Sequence, residues 1–216
     1  MIHQLRPAAP RRAEIEVKRS RFLALLEPTP DEVAARAFIE SVRADHPDAR
    51  HHCSAFIVSS PGQHDIEHSS DDGEPSGTAG RPMLEVLRGH GLGQVTVVVV
   101  RWFGGVLLGT GGLVRAYSDA VREVLVGLDV VRVETLEELA VTVDLGRAGA
   151  LESALQVAGM VPHERTWRAS EVELRIAVPD PDRAIEQVAS LSGGAAHVED
   201  VGMVEAEIPA GTLTRG

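Results

Sequence analysis

Between Ser69 and Gly80 the chain reads SSDDGEPSGTAG, and Asp71, Asp72 and Glu74 place three carboxylates within four residues. Carboxylates this close repel one another and need a cation, a guanidinium or full solvation. The residues leave open a Mg²⁺ or Ca²⁺ site, an arginine-binding or partner-binding loop, and acid–base catalysis. The spacing is not the calcium-loop pattern D-x-[DN]-x-[DN]-G, because Ser70 and Gly73 interrupt it. Histidines cluster nearby, His51 and His52 at a strand start and His64 and His68 four apart. A spacing of four suits zinc on a helix, but Pro61-Gly62 argues against a helix there, and neither H-E-x-x-H nor a paired C-x-x-C occurs. Cys53 is the single cysteine. Neighbours in a strand point to opposite faces, so a His52–Cys53 couple is disfavoured and Cys53 reads as a small core residue. No catalytic residue and no metal ligand is assigned from these patterns, and no cofactor is expected.

The second singular stretch is RWFGGVLLGTGG, residues 101–112. Arg101 ends a run of valines, and a guanidinium there needs a counter-charge. The acidic loop is the natural source, through bidentate contacts. Gly109, Gly111 and Gly112 precede a helix, where bare amides and the positive helix terminus suit an anion, or where glycine simply permits tight turns and close packing. Arg115 and Arg122, seven apart on that helix, fit a basic stripe for RNA and a solvated surface equally; the lysine of a P-loop is missing. Lys18-Arg19-Ser20-Arg21-Phe22 packs three bases around a serine, which fits a phosphate-contacting edge or an ordinary charged edge strand. The candidate cleft therefore comprises Lys18, Arg21, His51, Asp71, Asp72, Glu74 and Arg101, with Gly109, Gly111, Gly112 and Arg115 as its anion-binding side.

These residues need a scaffold. Residues 14–18 alternate and 21–26 follow after a polar step, which predicts a hairpin. Thr29-Pro30 opens a helix, with Thr29 as N-cap and Pro30 at its first position, that runs to Pro47. Residues 52–58 read as a buried strand, 59–80 as a 22-residue irregular loop, and 82–88 as a short helix. Residues 95–100 form a strand whose β-branched run implies burial on both faces, and 113–128 form a long helix. A first domain, 1–133, closes there. In the second, 134–216, strands at 139–145, 161–167, 171–178 and 197–208 alternate with helices at 147–158 and 180–191. That order, βαββαβ, is the ferredoxin-like one, and the whole reads as α+β.

The chain has 216 residues, 44% hydrophobic but only 3% aromatic, so aliphatic side chains must build its cores. No stretch of 18 uncharged apolar residues exists, which excludes a helical membrane span, and no secretory signal pattern precedes the first strand. One cysteine fits a reducing cytoplasm. The net charge of −11 is uneven. Residues 134–216 hold 15 acids against 6 arginines, a net of −9, whereas residues 1–21 carry 6 bases against 2 acids. An acidic second domain repels nucleic acid, so RNA contact is expected from the first domain and a protein contact from the second.

KRSRF (18–22), HHCSAF (51–56), SDDGEPSGTAGRPML (70–84), VVVVRWFGG (97–105) and GTGGLVRAYSDAV (109–121) together resemble the YigZ/IMPACT family, over most of residues 14–130. The resemblance implies a ribosomal-protein second-domain fold, shared with domain four of elongation factor G, for the first domain. It implies a ferredoxin-like second domain like those of bacterial two-domain members. It also implies a cytoplasmic protein linked to translation regulation, binding RNA or the ribosome, without a secure enzymatic activity. The family's motif falls on Lys18, Ser20, Arg21, His51, Asp71, Asp72, Gly73, Glu74, Pro75, Gly80, Arg101, Gly104, Gly105, Gly109, Gly112 and Tyr117. No stretch before residue 14 is long enough for the extra partner-binding domain of eukaryotic members, so their control of a translation-stress kinase is not carried over. The alternative function is a metal- or phosphate-dependent small hydrolase or transferase built on Asp71, Asp72 and Glu74.

Overall fold

The computed structural model describes residues 5–58 and 65–214. Two compact units emerge: residues 1–132 joined by 208–216, and residues 133–207. Residues 208–214 therefore pack with the first unit, although the sequence pattern places them in the second domain.

In the first unit, strands β1 (Leu5–Pro7), β2 (Arg11–Val17), β3 (Ser20–Pro28), β4 (His51–Val58), β5 (Ile66–Ser70) and β6 (Val95–Trp102) accompany helices α1 (Glu32–Asp45), α2 (Gly80–Gly89) and α3 (Thr110–Leu125). The main sheet has the order β2-β3-β6-β4-β5, with every neighbouring pair antiparallel. Its central strand β6 is buried along nearly its whole length because both faces are covered. Val95, Val97 and Val99 meet Phe22, Cys53, Met83, Leu87, Leu113 and Tyr117 on the side of α2 and α3. Val98 and Val100 meet Phe56 and the Ala35, Ile39 and Val42 stripe of α1 on the other. The uninterrupted valine run is what two-sided burial requires of a strand.

Three local expectations are corrected. Residues 66–70 are not irregular: they form β5, paired with Ser54–Val58, while 59–64 lie outside the described residues. His68 therefore sits on a strand, stacked on Phe56 at 5.2 Å between centroids, and not in the irregular loop; His64 falls outside the described residues. Helix α1 is capped by Asp31, whose carboxylate accepts the Ala34 amide at 2.8 Å. Thr29 instead shares a buried hydroxyl bond of 2.7 Å with Thr96, which joins the strand ends.

The second unit contains most of β7 (Asp129–Asp144) and β10 (His197–Thr212), with α4 (Leu145–Val157), β8 (Glu164–Trp167), β9 (Glu171–Val178) and α5 (Pro181–Ser192). β9 lies between β7 and β8, and β10 pairs with β7, giving the order β10-β7-β9-β8. Leu139, Val141, Val143, Val172, Leu174 and Ile176 face Leu151 and Leu155 of α4 and Val188 of α5. The clean alternation of residues 171–178 builds this one-sided sheet core. Its opposite face carries ion pairs such as Arg175–Glu138 and Arg168–Glu173.

Candidate functional site

Residue parity along the strands decides which side chains meet. On β6, Arg101 falls on the same face as Val97 and Val99, and across the ladder it lies opposite His51 of β4 and Phe22 of β3. Arg101 is therefore carried into the α3 side of the sheet, where it is only 6% exposed. A guanidinium at that depth requires a partner within hydrogen-bonding reach.

Glu74 supplies it. Arg101 Nη1 donates to Glu74 Oε1 at 2.6 Å, and Tyr117 of α3 donates its phenolic hydrogen to the same oxygen at 2.7 Å. Nη2 reaches Ser20 Oγ at 3.4 Å. The contact is monodentate, not the bidentate fork expected: only Nη1 reaches the carboxylate, while Nη2 turns to Ser20. Among the described residues, Arg101 Nε is the only buried side-chain nitrogen or oxygen without a hydrogen-bond partner. The Cys53 thiol completes the chain: its one hydrogen is within reach of the Asp71 carbonyl at 3.0 Å and of the Tyr117 oxygen at 3.3 Å. Burial pushes both the Cys53 thiol and the Tyr117 phenol up in pKa, and the neighbouring Glu74 charge adds to each shift. Neither group is a ready nucleophile or base at neutral pH.

The other two carboxylates turn elsewhere. Asp71 Oδ2 accepts the Gly77 amide at 2.7 Å, and Oδ1 accepts those of Ala79 and Gly80 at 3.0 and 2.9 Å, at the start of α2. Burial raises the Asp71 pKa, but the three amides outweigh it and the net shift is downward. Asp72 adopts φ of 42° and points its oxygens to the α1 side. There Oδ2 accepts the His52 amide at 2.6 Å, and Arg43 lies 3.1 Å from Oδ1. The Asp72 carbonyl pairs with His51 Nδ1 at 2.9 Å. Thus the three acids diverge, and among the described residues no group of three or more His, Cys, Asp or Glu side chains is arranged to hold a metal ion. The residues do not fit a resident cation.

The remaining candidates surround this network. Gly104 fits against the backbone of the β2–β3 turn so closely that a Cβ there would overlap the Arg19 carbonyl. Its amide donates to Ser20 Oγ at 3.2 Å. Lys18 and Arg19 form the two-residue turn itself, with φ of 48° and 66°. Arg21 lies on the opposite face, its guanidinium 3.9 Å from the centroid of the Trp102 ring, so it does not join Arg101. Gly109 caps α3 with φ of 73°, Gly111 and Arg115 are exposed, and Gly112 packs near the Leu108 side chain. The resemblance places Tyr117 and Ser20 in the family's motif, but their roles, Tyr117 as the joint of the network and Ser20 as the anchor of Gly104, were not read from the sequence. The single tyrosine at a helical core position was the available signal for the first.

Residues 18–125 match the model of the Impact N-terminal domain. The chain is similar to the IMPACT family member YigZ of Escherichia coli, 46% identical over 174 residues, which are 80% of this chain and 84% of that protein. It is similar to the IMPACT family member YvyE of Bacillus subtilis, 34% identical over 189 residues, covering 87% and 86%. A crystal structure of a hypothetical protein matches with a TM-score of 0.59 at 42% identity, over 90% of this chain and 95% of that one. The two-domain translational regulator Yih1 matches at 26% identity over 53% of this chain and 45% of that one, with a TM-score of 0.35, a superposition too loose to carry an argument.

Proposed function

The chain belongs to the IMPACT family, and on that premise we propose that it is a regulatory protein linked to translation, whose first unit engages RNA or the ribosome. One observation carries the reading. The acids of the 71–74 loop are engaged within the fold, by Arg101 and Tyr117, by three amides, and by Arg43 and the His52 amide. The exposed bases at one end of the same unit are not. Among the described residues neither Lys18, Arg19 nor Arg115 has an ion-pair partner. Outward cations without counter-charges at these positions offer a local contact to an anion.

The same disposition weighs against the hydrolase alternative. A two-oxygen acceptor such as Asp71, already holding three amide hydrogens, has little left to offer a metal or a proton in transit. The fold names belong to this reading as well. The β10-β7-β9-β8 order supports a ferredoxin-like second domain, and family membership supports the ribosomal-protein second-domain fold for the first. The acidic second domain is assigned a protein partner on its charge, and the cytoplasm is the assigned compartment on its lone cysteine. No helix among the described residues is long and apolar enough to cross a membrane.

Co-sedimentation with ribosomes and binding to total RNA, each titrated with salt, test the proposal. Association at low salt that weakens steadily as salt rises is expected. No association with either at low salt overturns it.

A further inference from the structure

Three features meet at the end of the first unit where β2 turns into β3. The first is a strained turn. A two-residue hairpin turn with positive φ at both positions belongs to Asn-Gly or Gly-Gly, which adopt it without penalty. Here Lys18 and Arg19, two long non-glycine residues, are held there at φ of 48° and 66°. Folding gains nothing from that choice, so the side chains themselves are what the positions retain. The second is a pinned neighbour. Gly104 lies against the Arg19 backbone and bonds Ser20, which fixes the loop after β6 onto the turn. The third is apolar exposure in that loop. Phe103 is 46% exposed and Leu107 83%, in a chain with only four phenylalanines. The Phe103 ring is not loose: the buried Arg101 guanidinium sits 5.7 Å from its centroid.

We propose that the Lys18–Arg19 turn and the Phe103–Gly109 loop form one surface that binds single-stranded RNA, the two cations holding phosphates and the Phe103 ring stacking on a base. This rests on the reading that the first unit engages RNA, and it names the surface and the strandedness. An A-form duplex keeps its bases stacked inside, and only a single strand offers a base face to an exposed ring. An acidic peptide would use the cations but has no base to stack on Phe103. Two of the nearby acids are engaged: Glu74 is buried on Arg101, and Glu14 faces Arg21 at 3.9 Å on the hairpin. Exposed Glu16 stands across the ladder from Arg21, so among the described residues the turn offers its two cations beside one free carboxylate.

The test measures fluorescence anisotropy of a labelled mixed-sequence RNA strand of about 12 nucleotides, within the usual span of such sites, against an RNA duplex of the same length. Lys18→Asn combined with Arg19→Gly relaxes the turn while removing both cations. This double variant is expected to melt no lower than the parent, while the slope of log affinity against log salt falls by about 1.4, the share of two phosphate contacts on a single strand. Phe103→Ala is expected to weaken the strand at least about fivefold with little change in that slope, and Phe103→Tyr to restore it. If the parent binds RNA but neither change weakens it, or binds duplex as tightly as strand, the inference falls while the broader reading stands. Displacement of the strand by poly-glutamate at equal charge overturns it in favour of an acidic protein ligand. A parent that binds neither RNA form nor ribosomes at low salt removes both.

Discussion

Arg101 and Glu74 meet at 2.6 Å with side chains only 7% and 4% exposed, 27 residues apart in the chain. The pair fastens the 71–74 loop to the end of the central strand, and Tyr117 ties α3 to the same oxygen. Removing one member leaves the other charged and buried, which costs about 3–5 kcal/mol. Glu74→Ala and Arg101→Ala are therefore expected to lower stability by that amount in urea titration. The double change Glu74→Ala with Arg101→Ala should cost clearly less than the sum of the single changes. Additive losses would show that the two charges do not depend on each other. For the same reason Arg101→Ala is a stability variant and a poor probe of RNA binding.

Asp71 makes the acid side of the stability profile. Its folded pKa lies below the ordinary value of 3.8 because three amides outweigh burial, so the unfolded chain takes up the proton first. Its contribution is fully present above that ordinary value and is lost as pH falls through the folded pKa. Asp71→Asn should flatten this acid limb and, by weakening the cap of α2, cost about 0.5–2 kcal/mol at neutral pH. Urea midpoints measured from pH 7 down to acid would show an unchanged limb if the carboxylate were not the group responsible.

The alkaline side has the opposite sign. Cys53 and Tyr117 have folded pKa values raised above the ordinary 9.0 and 10.0, through burial first. Both keep their protons in the fold while the unfolded chain releases them. Stability is thus full below about pH 9 and falls above it, by about 1.4 kcal/mol per pH unit for each group past its unfolded pKa. Cys53→Ala should remove one of the two steps. The native thiol should also resist alkylation at pH 8 and react only at the rate of unfolding.

How much of this could be read beforehand depended on the range of the interaction. A charge closing a valine run needs a counter-charge wherever the chain goes, so Arg101 pointed to an acidic partner from local pattern alone. Which acid it would be depended on strand parity and on where α2 starts, and those are set by the whole sheet. Asp71 looks like Asp72 in sequence, yet one caps a helix and the other anchors Arg43 on the far side. Strand β5, with the sequence IEHSS, lacks the alternating apolar residues that mark a strand, and pairing with β4 imposes the conformation. The hairpin was legible from the polar step, but the two-residue turn at Lys18-Arg19 was not, because neither residue carries that turn's usual chemistry.

Divalent metals separate the two functional classes without any assay of turnover. A cation bound to the native state alone stabilises it by mass action, about 2.7 kcal/mol at a hundredfold excess over its dissociation constant. The diverging carboxylates predict no such gain, so melting temperatures with and without Mg²⁺, Mn²⁺ or Zn²⁺ should coincide. An upward shift that Asp72→Asn abolishes would instead favour the hydrolase alternative.

The contact between Gly104 and the hairpin gives the sharpest steric prediction. Gly104→Ala would place a methyl group onto the Arg19 carbonyl, and both neighbours are backbone that cannot rotate away. Either the 103–109 loop or the β2–β3 turn must lift, and with it the Gly104–Ser20 hydrogen bond and the lid over Arg101 are lost. Overpacking of this kind costs about 1–3 kcal/mol. The loss should be local, visible as faster proteolysis and hydrogen exchange in residues 17–21 and 103–109, while the second unit keeps its protection. Gly105, where a Cβ meets nothing within 4 Å but φ is +84°, provides the contrast. Gly105→Ala strains only its own backbone, so it should lower stability while leaving exchange at the hairpin turn close to that of the parent. Equal loss of protection at the turn in both variants would mean that the close approach of Gly104 does not hold the two segments together.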